Sequence, residues 1–174
     1  MSNIVVIYKS KYGNTEQYAR WIAQELGADF FEASTVKPGQ LLQYDVVVYG
    51  GGLYAGGIDG ARLVTKNPCK SLVVFTVGLA DPVETDYTEV LARNFSKELL
   101  QITKVFHLRG AIDYGNLKPA HKSMMAVLKS SLSKKNESEL SSEEKAILST
   151  YGGSVSFVDK AATVPIVGYV KELA

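Results

Sequence analysis

The sequence predicts an α/β domain built on a doubly wound, parallel sheet of five strands with helices on both faces. Three observations lead there. Short β-branched, apolar runs alternate along the chain with longer segments of helical period. The runs Ile4 to Tyr8, Tyr44 to Tyr49 and Leu72 to Val77 lack the polar–apolar alternation of a half-solvated strand, so each reads as covered on both faces. Turns of unusual composition follow all three, at the strand ends where open parallel sheets hold their ligands.

The first strand, Ile4 to Tyr8, leads into Ser10, Lys11, Tyr12, Gly13, Asn14 and Thr15 and then an amphipathic helix to Leu26. Tyr18, Ile22 and Leu26, with Ala19 and Ala23, share one helical face, and Gly27 ends it. Trp21 sits beside that stripe and reads as packing at its edge. Asp29 to Ala33 is a short second strand, and Pro38 and Gly39 lie in the connection to the third. The third strand is followed by Gly50, Gly51, Gly52, Leu53, Tyr54, Ala55, Gly56 and Gly57, a glycine density that implies positive φ angles or a flat ligand against the backbone. A helix is expected from Ile58 to Lys66, broken by Asn67 and Pro68.

The fourth strand runs into Gly78, Leu79, Ala80 and Asp81. Tyr87, Leu91, Phe95 and Leu99 then give a long helix reaching Ile102, and Lys104 to Ile112 reads as the last strand. His107 within it is expected to be a hydrogen-bonded core or edge residue without a chemical role. From about 113 to 159 the pattern loosens, although His121, Met124, Met125, Leu128 and Leu132 share a helical face. Thr163 to Leu173 closes the chain as a helix with Ile166, Val170 and Leu173 on its stripe. The 174 residues are read as one domain, with 113–159 an extra segment before the last helix.

Composition removes several classes of function. A net charge of +1 and the lack of a basic arm argue against nucleic acid. The single cysteine, Cys69, cannot form an internal disulfide, and no apolar run is long enough to span a bilayer, so a cytoplasmic protein is expected. No cluster of metal-ligating spacing is present. The first turn carries the chemistry instead. A helix that begins at such a turn has outward N–H groups and partial positive charge, so it can hold a phosphate largely by main chain. Gly13 permits close approach, and Ser10, Asn14 and Thr15 add short donors. Neither a Gly-x-Gly-x-x-Gly nor a Gly-Lys-Ser/Thr pattern is present, so dinucleotide and nucleoside-triphosphate fingerprints are both missing.

Ser-Lys-Tyr-Gly-Asn-Thr resembles the Thr/Ser-x-Thr-Gly-Asn-Thr phosphate loop of the flavodoxin family, with Tyr12 replacing a small hydroxyl residue. Gly51-Gly52-Leu53-Tyr54-Ala55-Gly56 resembles the subgroup of flavodoxin-like domains related to menaquinone-dependent protoporphyrinogen oxidase. The resemblance implies strand order 2-1-3-4-5 and FMN as cofactor. It makes Ser10, Lys11, Tyr12, Gly13, Asn14 and Thr15 the phosphate site. Gly51, Gly52, Leu53, Tyr54, Ala55 and Gly56, together with Thr76, Val77, Gly78, Leu79, Ala80 and Asp81, would border the isoalloxazine ring. It further implies a peptide beside the ring that can reorient, with Gly51 and Gly52 as candidates.

No catalytic side chain is expected, because the flavin does the chemistry. The implied function is redox: electrons pass through the flavin to or from a partner protein, a quinone or a small-molecule substrate, either as a carrier or as an oxidoreductase. Two features depart from carrier flavodoxins, namely the balanced charge and the lack of a second stacking aromatic before Tyr87. Lys118, Lys122, Lys129, Lys134 and Lys135 accompany the apolar stripe of the extra segment, a pattern open to partner docking or peripheral membrane contact. The alternative is a flavin-free regulatory or binding domain on the same scaffold. A phosphoacceptor version would need acidic residues after the first strand, where Lys9, Ser10 and Lys11 stand.

Overall fold

The computed structural model describes all 174 residues. Its main sheet has the path β2-β1-β3-β5-β6, formed by β1 (Ile4–Lys9), β2 (Asp29–Glu32), β3 (Val46–Tyr54), β5 (Leu72–Gly78) and β6 (Thr103–Arg109). A sixth strand, β4 (Gly57–Ile58), pairs antiparallel with the end of β3. The five-strand path is the expected order, and the sixth strand corrects the expected count. β1 pairs in parallel with β2 and β3, and β3 with β5. The chain therefore leaves β1 to one side for β2 and returns to the other side for β3, which makes a switch point between β1 and β3.

Burial explains the apolar runs. Val5, Val6, Ile7, Val47, Val48, Tyr49, Val73, Val74 and Phe75 are all fully buried, as strands covered on both faces must be. The first helix, α1 (Asn14–Leu26), buries Tyr18, Ala19, Ile22 and Ala23 and stops at left-handed Gly27. Trp21 meets Tyr18 edge-on at 5.8 Å, at the margin of that interface.

Contacts divide the chain into two compact units. The first comprises 1–77, 87–108 and 159–174 and holds the main sheet, α1, α2 (Arg62–Thr65), α3 (Thr88–Asn94), α4 (Lys97–Ile102) and the last helix, α7 (Val164–Leu173). The second comprises 78–86 and 109–158. It contains α5 (Pro119–Leu132), α6 (Ser142–Thr150) and an antiparallel ribbon of β7 (Ala111–Asp113) with β8 (Ser154–Ser156).

Three expected elements are broken, each for a local reason. The helix expected over Ile58 to Lys66 shrinks to α2, because Ile58 is drawn into β4 and Gly60 adopts φ +69. The long helix from Tyr87 splits into α3 and α4: Phe95 is extended and buried, and the Ser96 hydroxyl caps α4 by accepting the Leu99 N–H. The last strand ends at Arg109, and Gly110 separates it from β7.

The largest correction concerns the glycines at the end of the third strand. β3 continues through Gly50, Gly51 and Gly52 to Tyr54. The positive φ values fall instead at Ala55 (+48) and Gly56 (+78), the two-residue turn joining β3 to β4. Close packing is what requires the earlier glycines. A Cβ on Gly50 would sit inside the edge of the Phe75 ring, and one on Gly51 would lie 2.7 Å from the Asp59 carbonyl oxygen. At Gly52 the nearest atom is Thr15 Oγ1 at 3.7 Å, an ordinary contact. Gly50→Ala should therefore destabilise the fold by about 1–3 kcal/mol, as overpacked cores do, with Tm falling roughly 2–4 °C per kcal/mol. Gly52→Ala should leave Tm nearly unchanged in the same calorimetric comparison.

Candidate functional site

The turn after β1 is closed by its own side chain. Ser10 Oγ accepts the Gly13 N–H at 3.0 Å, and Gly13 adopts φ 94 and ψ −10, which a Cβ would disfavour. The first helical bond of α1 runs from the Gln17 N–H to the Gly13 carbonyl at 2.9 Å. The N–H groups ahead of it, those of Thr15 and Glu16 included, point out of the helix end. Thr15 is 4% exposed, so its hydroxyl sits at the floor of the turn. Glu16 is the one acid of this first helical turn, and its carboxylate is drawn along the helix to Arg20 at 2.7 Å. Thus the turn offers main-chain and hydroxyl donors to an anion.

The β3–β4 hairpin forms the adjoining wall. Lys11 of the turn holds its ammonium 3.7 Å from the centre of the Tyr54 ring, a cation–π contact that joins turn to hairpin. A Cβ on Gly52 would lie 3.7 Å from Thr15 Oγ1 and 4.0 Å from the Val77 carbonyl oxygen. Ser10 to Thr15, the Gly51 to Gly56 stretch and Val77 are therefore brought together. Tyr12 and Tyr54 remain 45% and 42% exposed, so both rings stand at the surface of this end.

Thr76 is placed differently. It is fully buried, and its hydroxyl lies 2.6 Å from His107 Nδ1 on β6. Burial pushes the His107 imidazole down to about 4, and Tyr87 stacks on its ring with centroids 3.5 Å apart. His107 is a half-buried, neutral residue whose ring is engaged by Thr76 and Tyr87, in keeping with the hydrogen-bonded core or edge residue that the sequence suggests. Tyr87 gives one face to the imidazole.

Gly78, Leu79, Ala80 and Asp81 belong to the second unit, where their backbone is tied down. Glu143 of α6 accepts the N–H groups of Leu79 and Ala80, both at 2.9 Å. Arg109 donates to the Leu79 carbonyl through Nε at 3.0 Å and Nη2 at 2.8 Å, and the Gly110 N–H donates to the Gly78 carbonyl at 2.7 Å. Neither Glu143 nor Arg109 was singled out by the sequence, because their partners are more than twenty-five residues away. A groove of about 600 Å³ lies elsewhere in the first unit, beside Leu72 at the start of β5, and takes no part in this arrangement.

A family model described as a flavodoxin domain matches residues 5–139. The chain belongs to the flavodoxin domain family. An uncharacterized protein of Methanocaldococcus jannaschii is 40% identical over 53 residues, which cover 30% of this chain and 35% of that protein. The chain thus matches about a third of that relative's length. Three solved structures align with about three fifths of the chain. A flavodoxin of Streptococcus pneumoniae TIGR4 is 18% identical with TM-score 0.47, covering 61% of this chain and 82% of that one. Oxidised flavodoxin 1 of Bacillus cereus is 19% identical with TM-score 0.46, covering 62% and 84%. A flavoprotein of Lactobacillus acidophilus in complex with FMN is 12% identical with TM-score 0.41, covering 63% and 93%. Membership rests on the domain match, which reaches from the second residue of β1 into the second unit.

The buried imidazole gives this flavodoxin-domain protein a testable pH dependence. Its folded pKa lies near 4 and its ordinary value at 6.5, so the unfolded chain binds a proton at higher pH than the folded one. The His107 contribution is complete above about pH 6.5 and is lost as pH falls toward 4. Replacing His107 by Asn should flatten that part of a stability profile measured by chemical denaturation, even if it lowers stability overall.

Proposed function

We propose that this protein binds FMN and carries out redox chemistry through it. The observation that supports this reading is the turn after β1: a left-handed glycine, a closing Ser10 and outward N–H groups over buried Thr15, at the switch point of the sheet. When bound, FMN supplies the electron chemistry. This chain's residues bind and orient it. Ser10 Oγ accepts the Gly13 N–H and still has its own proton to donate to a phosphate oxygen, and Asn14 and Thr15 add donors beside it. Gly51 to Gly56 form the wall for the ring, with Val77 at the end of β5 beside Gly52. Lys11 is engaged with Tyr54, so its charge is spent on the hairpin more than on the phosphate.

The purified protein should be yellow, or turn yellow on adding FMN, and should release FMN on denaturation. A colourless protein that leaves the fluorescence of added FMN unchanged would overturn the proposal in favour of the flavin-free regulatory alternative. Losing one hydrogen bond to a charged group costs about 1.5–3 kcal/mol, so Thr15→Ala should weaken FMN by roughly one to two powers of ten. Lys11→Ala should cost less. Titration by flavin fluorescence measures both.

The electron partner is proposed to be an acidic protein surface met by α5. Residues 117–135 carry Lys118, Lys122, Lys129, Lys134 and Lys135 and no acidic residue. At about 100° per residue, Lys118, Lys122 and Lys129 fall on one flank of α5. The exposed Met124 (46%) and Val127 (71%) fall on the opposite one. A helix lying on an anionic bilayer divides its cations and apolar side chains in the same way, so binding to anionic vesicles is the competing outcome. Quinone or small-molecule reduction, the oxidase-type role the resemblance implies, differs in requiring no such docking. With a protein partner, Lys122→Glu plus Lys129→Glu should slow electron transfer at low salt and leave FMN affinity intact. The difference should fade as salt shortens the Debye length below about 8 Å. Equal stopped-flow rates at low salt would remove the docking role.

A further inference from the structure

The β3–β4 hairpin is held from the side away from the turn by one amide. Asn94, the last residue of α3, accepts the Ile58 N–H on its Oδ1 at 3.0 Å. Its Nδ2 donates to the Gly56 carbonyl at 3.1 Å and to the Val90 carbonyl, one helical turn back, at 2.7 Å. The orientation of the amide is therefore fixed by chemistry: the oxygen faces the lone N–H and the nitrogen faces two carbonyls. One bond is spent on α3 itself and two on the hairpin. These two bracket the turn, one on Gly56 and the other on the second residue of β4.

Asn94 is the chief polar tie between α3 and a hairpin that needs one. Only two residue pairs, Leu53 with Ile58 and Tyr54 with Gly57, join β3 to β4. The turn between them puts Ala55, a residue with a Cβ, at φ +48. So short a ribbon is marginal without outside support. Beside it, Arg93 lies so close to Gly56 that a Cβ there would approach its Nη1 to 2.6 Å. The opposite surface of the hairpin carries Tyr54, which Lys11 covers. A shift of the turn would thus carry Tyr54, and the wall formed by Gly51 to Gly56, with it.

We propose that Asn94 is a positioning residue for the ring-facing wall of the ligand site. It acts through the hairpin and touches no ligand. Helix α3 then sets the width of the cleft that receives the flavin ring, while the phosphate is held independently by Ser10 to Thr15. This inference rests on reading the hairpin as the ring wall of an FMN site. It goes further in assigning control of that wall to a residue outside every loop resembling the family's.

The two functions of the amide separate by substitution. Asn94→Asp keeps the acceptor for Ile58 but loses the donor to Gly56, whereas Asn94→Leu keeps the approximate size and loses both. The probes are FMN and riboflavin, which share the ring and differ in the phosphate, each titrated against the full chain by fluorescence. For Asn94→Leu we expect about a tenfold loss of affinity. The factor should be the same for FMN and riboflavin, and the visible circular dichroism of the bound flavin should change. Asn94→Asp should fall between Asn94→Leu and the parent. Thr15→Ala, by contrast, should weaken FMN and leave riboflavin unchanged.

A residue that merely stabilises the fold would lower Tm in both Asn94 variants and leave flavin affinity and dichroism of the folded protein untouched. That result overturns the proposal. So does a loss confined to FMN, which would assign Asn94 to the phosphate side. If the parent itself binds neither flavin, the FMN reading fails first. If the parent binds both and the Asn94 variants bind them equally well, only the present inference fails.

Discussion

The turn-and-hairpin end of the main sheet depends on how closely the backbone of β3 lies against its neighbours. Gly50 leaves room for the edge of the Phe75 ring, and Gly51 for Ile58 and the Asp59 carbonyl. With those two Cβ atoms absent, β3 stays in register with β1 and β5 past the point where an ordinary strand would turn away. It then folds back as β4 and becomes a wall beside the turn after β1. Side chains at 50 and 51 would force the strand outward, and Gly52 would no longer face Thr15. Glycine here serves close approach more than conformational freedom.

That distinction explains what was legible in the sequence and what was not. The apolar runs Ile4 to Tyr8 and Leu72 to Val77 announced strands buried on both faces, because they are short, rich in β-branched residues and without polar alternation. Gly13 and Gly27 marked the two ends of α1 because both needed left-handed backbone. The glycines from 50 to 57 were visible as a cluster, but the sequence does not separate a glycine needed for φ from one needed for packing. The ring of Phe75 that decides the matter is twenty-five residues away. Similarly, the long apolar period from Tyr87 to Ile102 concealed a break. Asn94 followed by a hydroxyl two residues later was the available signal, since Asn weakens a helix interior and Ser starts a new one.

The second unit shows the same limit more sharply. Its α5 was legible as a helical stripe, yet the work of its other residues lies in long-range polar bonds. Glu143 receives two successive backbone N–H groups from 79 and 80, and Arg109 clamps the carbonyl between them. Such carboxylate and guanidinium bonds to main chain are strong because one partner is charged. They leave no trace in composition or period. The loop that follows β5 is thus tied down by a side chain more than sixty residues later in the chain.

Two kinds of control meet at the candidate site, and they are physically separate. The turn after β1 is local: Ser10, Gly13 and the start of α1 lie within a few residues, so its shape is nearly complete in the sequence and tolerates change elsewhere. The hairpin is non-local: its position is set by Lys11 on one side and Asn94 on the other. The turn is thus shaped by residues adjacent in the chain, while the hairpin beside it takes its position from α3 and from Lys11. Tyr54 joins the two, since it belongs to the hairpin and is the residue on which the turn, through Lys11, bears.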